Sequence, residues 1–184
     1  MIEVRDLRKE YGTFTAVDGS TFEVDRGEVF GIIGPNGAGK TTTLKMLAGL
    51  LEPTEGTAQV AGYPAGEPEM RRRLGFLPEE SPLYEEMTPT SYLNFFADLY
   101  DVPGDVAKER MHETLDELDL QHRDRALGDM SKGMKRKVAI ARSLINDPDV
   151  LIYDEPASGL DPLTTNYVID FTSTLADEGK TIVF

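Results

Sequence analysis

The 184-residue chain has no cysteine, no tryptophan and only two histidines. Disulfides, thiolate metal sites and a cysteine nucleophile are thereby excluded, and two scattered histidines leave little for a metal cluster. Positive charge is scarce as well: 19 Lys and Arg against 33 Asp and Glu give a net charge of −14 and a pI near 4.5. So acidic a chain has no general attraction for nucleic acid or anionic lipid, and any phosphate it binds must be held by a local device. The same acidity is what adaptation to high salt produces. No stretch approaches the roughly 18 uninterrupted apolar residues of a membrane span, and Met1-Ile2-Glu3-Val4-Arg5-Asp6 carries no apolar leader core. Composition therefore predicts a soluble, cytosolic-type domain long enough to bury one real core.

Strand and helix signals alternate along most of the chain, which argues an α/β fold with a parallel sheet. Ile2–Leu7, Ala16–Ser20 and Thr21–Val24 read as an antiparallel meander, and the apolar run Val29-Phe30-Gly31-Ile32-Ile33 reads as a buried parallel strand. A helix from Lys40 to Leu50, a strand from Thr57 to Ala61, a short helix around Glu69–Arg73 and a strand Leu74–Leu77 follow. From Glu79 to about Gly128 the pattern turns helical, with helices over Pro89–Tyr100 and Asp105–Leu120, as expected of an inserted helical subdomain. A helix from Lys135 to Asn146, a buried strand Val150–Tyr153, a helix Pro162–Glu178 and a strand from Lys180 complete the prediction. The division expected is a core with its β subdomain at 1–78 and 135–184, and a helical subdomain at 79–134.

The local phosphate device is Gly34-Pro35-Asn36-Gly37-Ala38-Gly39-Lys40-Thr41, which fits G-x-x-x-x-G-K-S/T between an apolar strand and a helix. Glycines let backbone N–H groups surround phosphate oxygens, and the helix start adds its positive dipole end. Lys40 neutralises β/γ charge, and Thr41 can ligate Mg²⁺. The pattern points to a nucleoside triphosphate. Val150-Leu151-Ile152-Tyr153-Asp154-Glu155 is an apolar strand ending in two carboxylates, which brings acids to the edge where a phosphate loop opens. Asp154 is placed to hold Mg²⁺, directly or through water, and Glu155 to polarise the water attacking the γ-phosphate. Read without the phosphate loop, the same pair is as consistent with a solvated strand end.

Met130-Ser131-Lys132-Gly133-Met134-Lys135-Arg136-Lys137 precedes this strand and Ser158-Gly159-Leu160-Asp161-Pro162 follows it. With these motifs in this order the chain resembles, over its whole length, the nucleotide-binding subunit of ABC transporters. The Ser-Lys-Gly-Met signature, in place of the commoner Leu-Ser-Gly-Gly-Gln, is similar to the drug- and sodium-extrusion branch of exporters.

The resemblance implies that Gly34 to Thr41, together with Thr42, form the nucleotide site, with Tyr11 stacking on adenine. Ser131 and Gly133 would cap the γ-phosphate bound by a second subunit, and Asp161 would couple the two sites. Glu79 stands where the family usually has a Gln that senses Mg²⁺ and the attacking water, and as an anion it could still contact metal-bound water. Expected cofactors are ATP and Mg²⁺. Expected partners are membrane permease subunits and a second ABC ATPase subunit, identical or not, with no nucleic acid, which places the protein at the inner face of a membrane. Ser81 to Pro89 falls where the family meets its membrane subunit, so Leu83, Tyr84 and Met87 could supply apolar contacts or could pack the helical subdomain on itself.

Lys132 could add charge near the partner's phosphate or be a solvated lysine. The family's switch His follows the last strand, beyond Phe184, and neither His112 nor His122 can replace it; the expectation is Mg-ATP binding with weak hydrolysis. The rival reading is a soluble ABC ATPase of DNA repair or translation, which usually carries a coiled-coil insertion or tandem cassettes not seen here.

Overall fold

A computed structural model describes residues 1–184. Its elements run β1 (Ile2–Tyr11), β2 (Phe14–Val24), β3 (Val29–Phe30), α1 (Lys40–Leu47), β4 (Glu55–Val60), β5 (Tyr63–Pro64), α2 (Pro68–Arg72) and β6 (Leu74–Leu77). The second half has α3 (Pro89–Leu99), α4 (Gly104–Glu117), a single 3₁₀ turn at Leu127–Asp129, α5 (Lys132–Leu144), β7 (Val150–Tyr153), α6 (Pro162–Asp177) and β8 (Thr181–Val183).

These strands make two four-stranded sheets, one antiparallel in the order β2-β1-β4-β5 and one parallel in the order β3-β8-β7-β6. Helix α1 lies between them: Leu44, Met46 and Leu47 share a core with Val4, Leu7, Ala58 and Val60 of the first sheet and Val150 and Ile152 of the second. On its other face the parallel sheet buries Leu77, Leu151, Tyr153 and Ile182 against α3 to α6. The four residues of β7 are therefore buried on both sides, which explains the unbroken Val-Leu-Ile-Tyr run.

Local sequence accounts for the helix starts. Thr88 caps α3, its hydroxyl accepting from the Ser91 N–H at 3.2 Å, with Pro89 in the first turn. Ser131 caps α5 by accepting from the Met134 N–H at 3.2 Å, so that helix begins at Lys132, three residues before the position its apolar period suggests.

Two other expectations are corrected. Phe14–Val24 is one strand, because β1 follows it through register shifts and does not release it as two. Val29–Ile33 is less buried and less regular than expected. Within residues 1–184, Val29 and Phe30 pair with β8 and the Ile32 N–H donates to the Phe184 carbonyl at 2.6 Å, while Val29 is 45 % and Ile33 96 % exposed.

Candidate nucleotide site

Residues 31–39 leave β3 as a loop that turns into the first residue of α1. Gly39 sits at φ +84°, and a Cβ there would collide with the Ala16 carbonyl oxygen, so the position admits only glycine. Lys40 opens α1, and its ammonium folds back to donate to the carbonyls of Gly34 at 2.9 Å and Pro35 at 3.3 Å. Gly34, Pro35 and Ala38 thus shape the loop from behind, with the Ala38 N–H closing a turn on the Pro35 carbonyl at 3.1 Å.

The parallel sheet delivers acids to the same place. β6 and β7 are neighbours in register up to Leu77 and Tyr153, so Glu79 and the Asp154-Glu155 pair leave adjacent strand ends. Asp154 is 2 % exposed, and its Oδ1 accepts from the Thr41 hydroxyl at 3.1 Å. Glu155 is exposed and held at φ +45°, a left-handed conformation that costs an L-residue about 1–2 kcal/mol. Such strain persists only where the surroundings impose it, and it clusters at functional sites.

A cleft of about 400 Å³ brings these groups together. Asn36, Gly37, Gly39, Lys40, Thr41 and Thr42 line it together with Glu79 and Glu155, and Tyr11 adds an aromatic, half-exposed rim. Phe14 joins Tyr11 on that rim and was not anticipated from the sequence. The two residues are cross-strand partners, the last pair of the β1–β2 hairpin, whose two-residue connection turns at Gly12 with φ +60°, and they are 50 % and 60 % exposed. The aromatic–Gly–x–aromatic spacing carries that signal, since a tight hairpin sets the first and fourth residues opposite each other.

Ser131, Gly133 and Asp161 do not line this cleft and gather elsewhere. A Cβ on Gly133 would lie 3.2 Å from Thr164 Cγ2, so the start of α5 rests on the start of α6. Asp161 caps α6, accepting from the N–H groups of Leu163 and Thr164 at 3.1 Å and from the Thr164 hydroxyl at 2.6 Å. That hydroxyl is the chief reason its carboxyl is held below the ordinary range. The Lys132 ammonium lies over Gly159, where a side chain at that glycine would meet it.

Of the three residues expected near a membrane subunit, Leu83 and Met87 pack against the larger core, whereas Tyr84 stays 55 % exposed beside Tyr92 and Phe95. His112 faces the Arg123 guanidinium and His122 sits in a left-handed turn at φ +60°, both apart from the cleft. No helix is long and apolar enough to cross a membrane.

The fold is of a kind found before. Residues 17–158 match the family described as ABC transporter. The chain is 41 % identical, over all of its length, to 58 % of the Nod factor export ATP-binding protein I of Ralstonia nicotianae. Among solved structures, the ATP-binding subunit of an ABC transporter superposes with a TM-score of 0.87 at 35 % identity, over 99 % of this chain and 78 % of that one. The ATP-binding cassette MJ0796, in a dimeric post-hydrolysis state bound to ADP and Pi, gives a TM-score of 0.86 at 26 % identity, over 100 % and 86 % of the two chains. The chain thus spans under two thirds of the length of the export relative. Matched by the family model over residues 17–158 and superposing on solved ATP-binding cassettes along nearly its whole length, the chain belongs to the ABC transporter family of ATP-binding domains.

Proposed function

We propose that the cleft binds Mg-ATP and hydrolyses it, and that the hydrolysis drives export through separate permease subunits. The observation that carries this reading is the meeting of Thr41, Asp154, Glu155 and Glu79 below an aromatic rim, in a chain otherwise too acidic to attract a polyphosphate. In this reading the Lys40 ammonium gives up the Gly34 and Pro35 carbonyls for β/γ-phosphate oxygens, while Tyr11 and Phe14 hold the base between apolar faces.

Thr41 and Asp154 fit a magnesium site. They already share a hydrogen bond of 3.1 Å, and one hydroxyl with one carboxylate suits an ion that keeps waters and phosphate oxygens as its other ligands. Bound Mg²⁺ would neutralise charge on the β- and γ-phosphates. Glu155 accepts the proton of the attacking water, and Glu79 orients that water from the neighbouring strand end.

Ser131, Gly133 and Asp161 form a face of their own, outside the cleft, and in this reading that face closes on the ATP of a second cassette. Residues 79–134 would move as the helical subdomain that carries the face. Exposed Tyr84 and Phe95, with the 310 Å³ cavity lined by Leu50, Phe76, Phe96 and Arg142, would receive the permease at the inner membrane surface. The word export in the relative's name supports this over a role in DNA repair or translation. With no histidine near the cleft, residues 1–184 alone would turn over slowly.

The test is direct. Glu155→Gln should bind ATP as the parent does and lose hydrolysis, and the full-length protein should co-purify with a membrane protein. A chain that binds no ATP, or hydrolyses it equally well without Glu155, would refute the reading.

A further inference from the structure

Arg136, in the second turn of α5, is 8 % exposed and pairs with no carboxylate side chain. A guanidinium has five N–H donors in a fixed fork, and here five backbone carbonyls receive them. Nε donates to Pro156 at 2.7 Å, Nη1 to Pro78 at 2.8 Å and Glu79 at 3.1 Å, and Nη2 to Glu155 at 2.9 Å and Asp154 at 3.3 Å.

The acceptors belong to two strand ends. β6 and β7 pair as far as Leu77 and Tyr153, and the Asp154 N–H still donates to the Leu77 carbonyl at 2.8 Å. Beyond that point the ladder stops, and the guanidinium bridges the two chains where strand-to-strand bonds no longer do. Its acceptors include the carbonyls of Glu79 and Glu155, the two acids in the cleft wall, and the second of these has the strained φ of +45°. Burial above all, with the nearby Arg142 adding to it, disfavours the charged guanidinium and lowers its pKa, while Tyr153, Asp154 and Glu79 partly offset this.

A buried cation committed to five carbonyls is costly to leave half-satisfied. The same helix α5 begins at Ser131 and Gly133. We propose that Arg136 is a positioning residue for hydrolysis: it fixes the backbone that aims the Glu155 and Glu79 carboxylates, and through α5 it ties that aim to the position of the Ser131–Gly133 face. The proposal rests on Glu155 being the base that accepts the water's proton.

A double-mutant cycle on the full-length protein tests it, with kcat, KM and fluorescent-ATP affinity measured for each variant. Arg136→Gln should lower kcat at least tenfold with ATP affinity within about twofold of the parent, and Arg136→Lys should recover part of the loss. In a Glu155→Gln background, Arg136→Gln should lower the residual turnover by clearly less than it lowers the parent's, because with Glu155 gone only Glu79 is left for it to position.

An equal loss in both backgrounds, or a fall in affinity matching the fall in kcat, would overturn the proposal. Should Arg136→Gln fail to fold, Arg136→Lys carried through the same cycle decides between the same outcomes. If Glu155→Gln alone leaves kcat intact, it is the reading of Glu155 that fails; if it abolishes turnover while Arg136→Gln does not lower it, only the role of Arg136 fails.

Discussion

The Thr41 hydroxyl donates to Asp154 Oδ1 across 3.1 Å, though 113 residues of chain separate the two. One comes from the start of a helix sandwiched between sheets and the other from the end of a strand buried on both faces. The fold thereby brings a hydroxyl and a carboxylate to one point with little freedom in either. Substitution of Asp154 by Asn should keep the hydrogen bond and ATP binding in the absence of metal, yet remove the gain in affinity that Mg²⁺ brings to the parent. Titration of fluorescent ATP with and without Mg²⁺ reads this.

Lys40→Ala should weaken ATP binding by roughly 10- to 100-fold, the effect of losing a charge-assisted hydrogen bond worth about 1.5–3 kcal/mol. Because the ammonium now rests on the loop's own carbonyls at 2.9 and 3.3 Å, the variant should fold, and its melting temperature should stay within a few degrees of the parent's. Calorimetric titration with ATP and a thermal melt measure the two effects.

The aromatic rim predicts a different pattern. Stacking on a base is worth about 1–3 kcal/mol per ring and reads no edge of the base. Tyr11→Ala and Phe14→Ala should each weaken ATP and GTP binding in parallel, whereas Tyr11→Phe should change little. A selective loss of ATP over GTP would show that the ring reads the purine edge.

Asp147 supplies a pH signature remote from the cleft. Its carboxylate accepts from the Lys180 ammonium and lies 3.6 Å from Arg110, joining the turn after α5 to the start of β8 and to α4. The Lys180 hydrogen bond lowers its pKa, partly offset by burial. A carboxylate lowered in the folded state stabilises above its unfolded value, about 3.9, and the contribution disappears as pH falls through the folded value. The parent should therefore lose more stability than Asp147→Asn between pH 5 and pH 3, by no more than about 1 kcal/mol because the side chain is 60 % exposed. Urea denaturation midpoints at the two pH values compare them.

Net charge makes the last prediction. At −14 the folded chain repels itself, and salt that shortens the screening length should raise its melting temperature from 0.05 to 0.5 M. Melts in NaCl measure this.

Much of what lines the candidate site was legible because the patterns that mark it are short and contiguous. The phosphate loop and the Asp154-Glu155 strand end each carry their context in neighbouring residues, and the β6 and β7 ends could be placed from their apolar runs. What escaped depends on pairing across the chain. Phe14 matters only because the hairpin sets it opposite Tyr11, and the apolar run Val29–Ile33 does not tell that regular pairing stops at Phe30 and the chain turns into the loop. Leu83 and Met87 are ambiguous in sequence because an apolar side chain serves a core and an interface equally well, and the structure places both against the core. Arg136 reads as one of three consecutive basic residues, and nothing local distinguishes the buried one from Lys135 or Lys137.

If Glu155 is the base proposed above, its left-handed backbone sets stability against turnover. Glycine could take φ +45° there without the steric penalty of a side chain. A library of this protein screened only for expression or heat resistance would therefore tolerate, or even enrich, loss of the acid. On the proposed reading such winners would bind nucleotide and do no work, and a directed-evolution scheme would need a turnover step to keep residue 155 a glutamate.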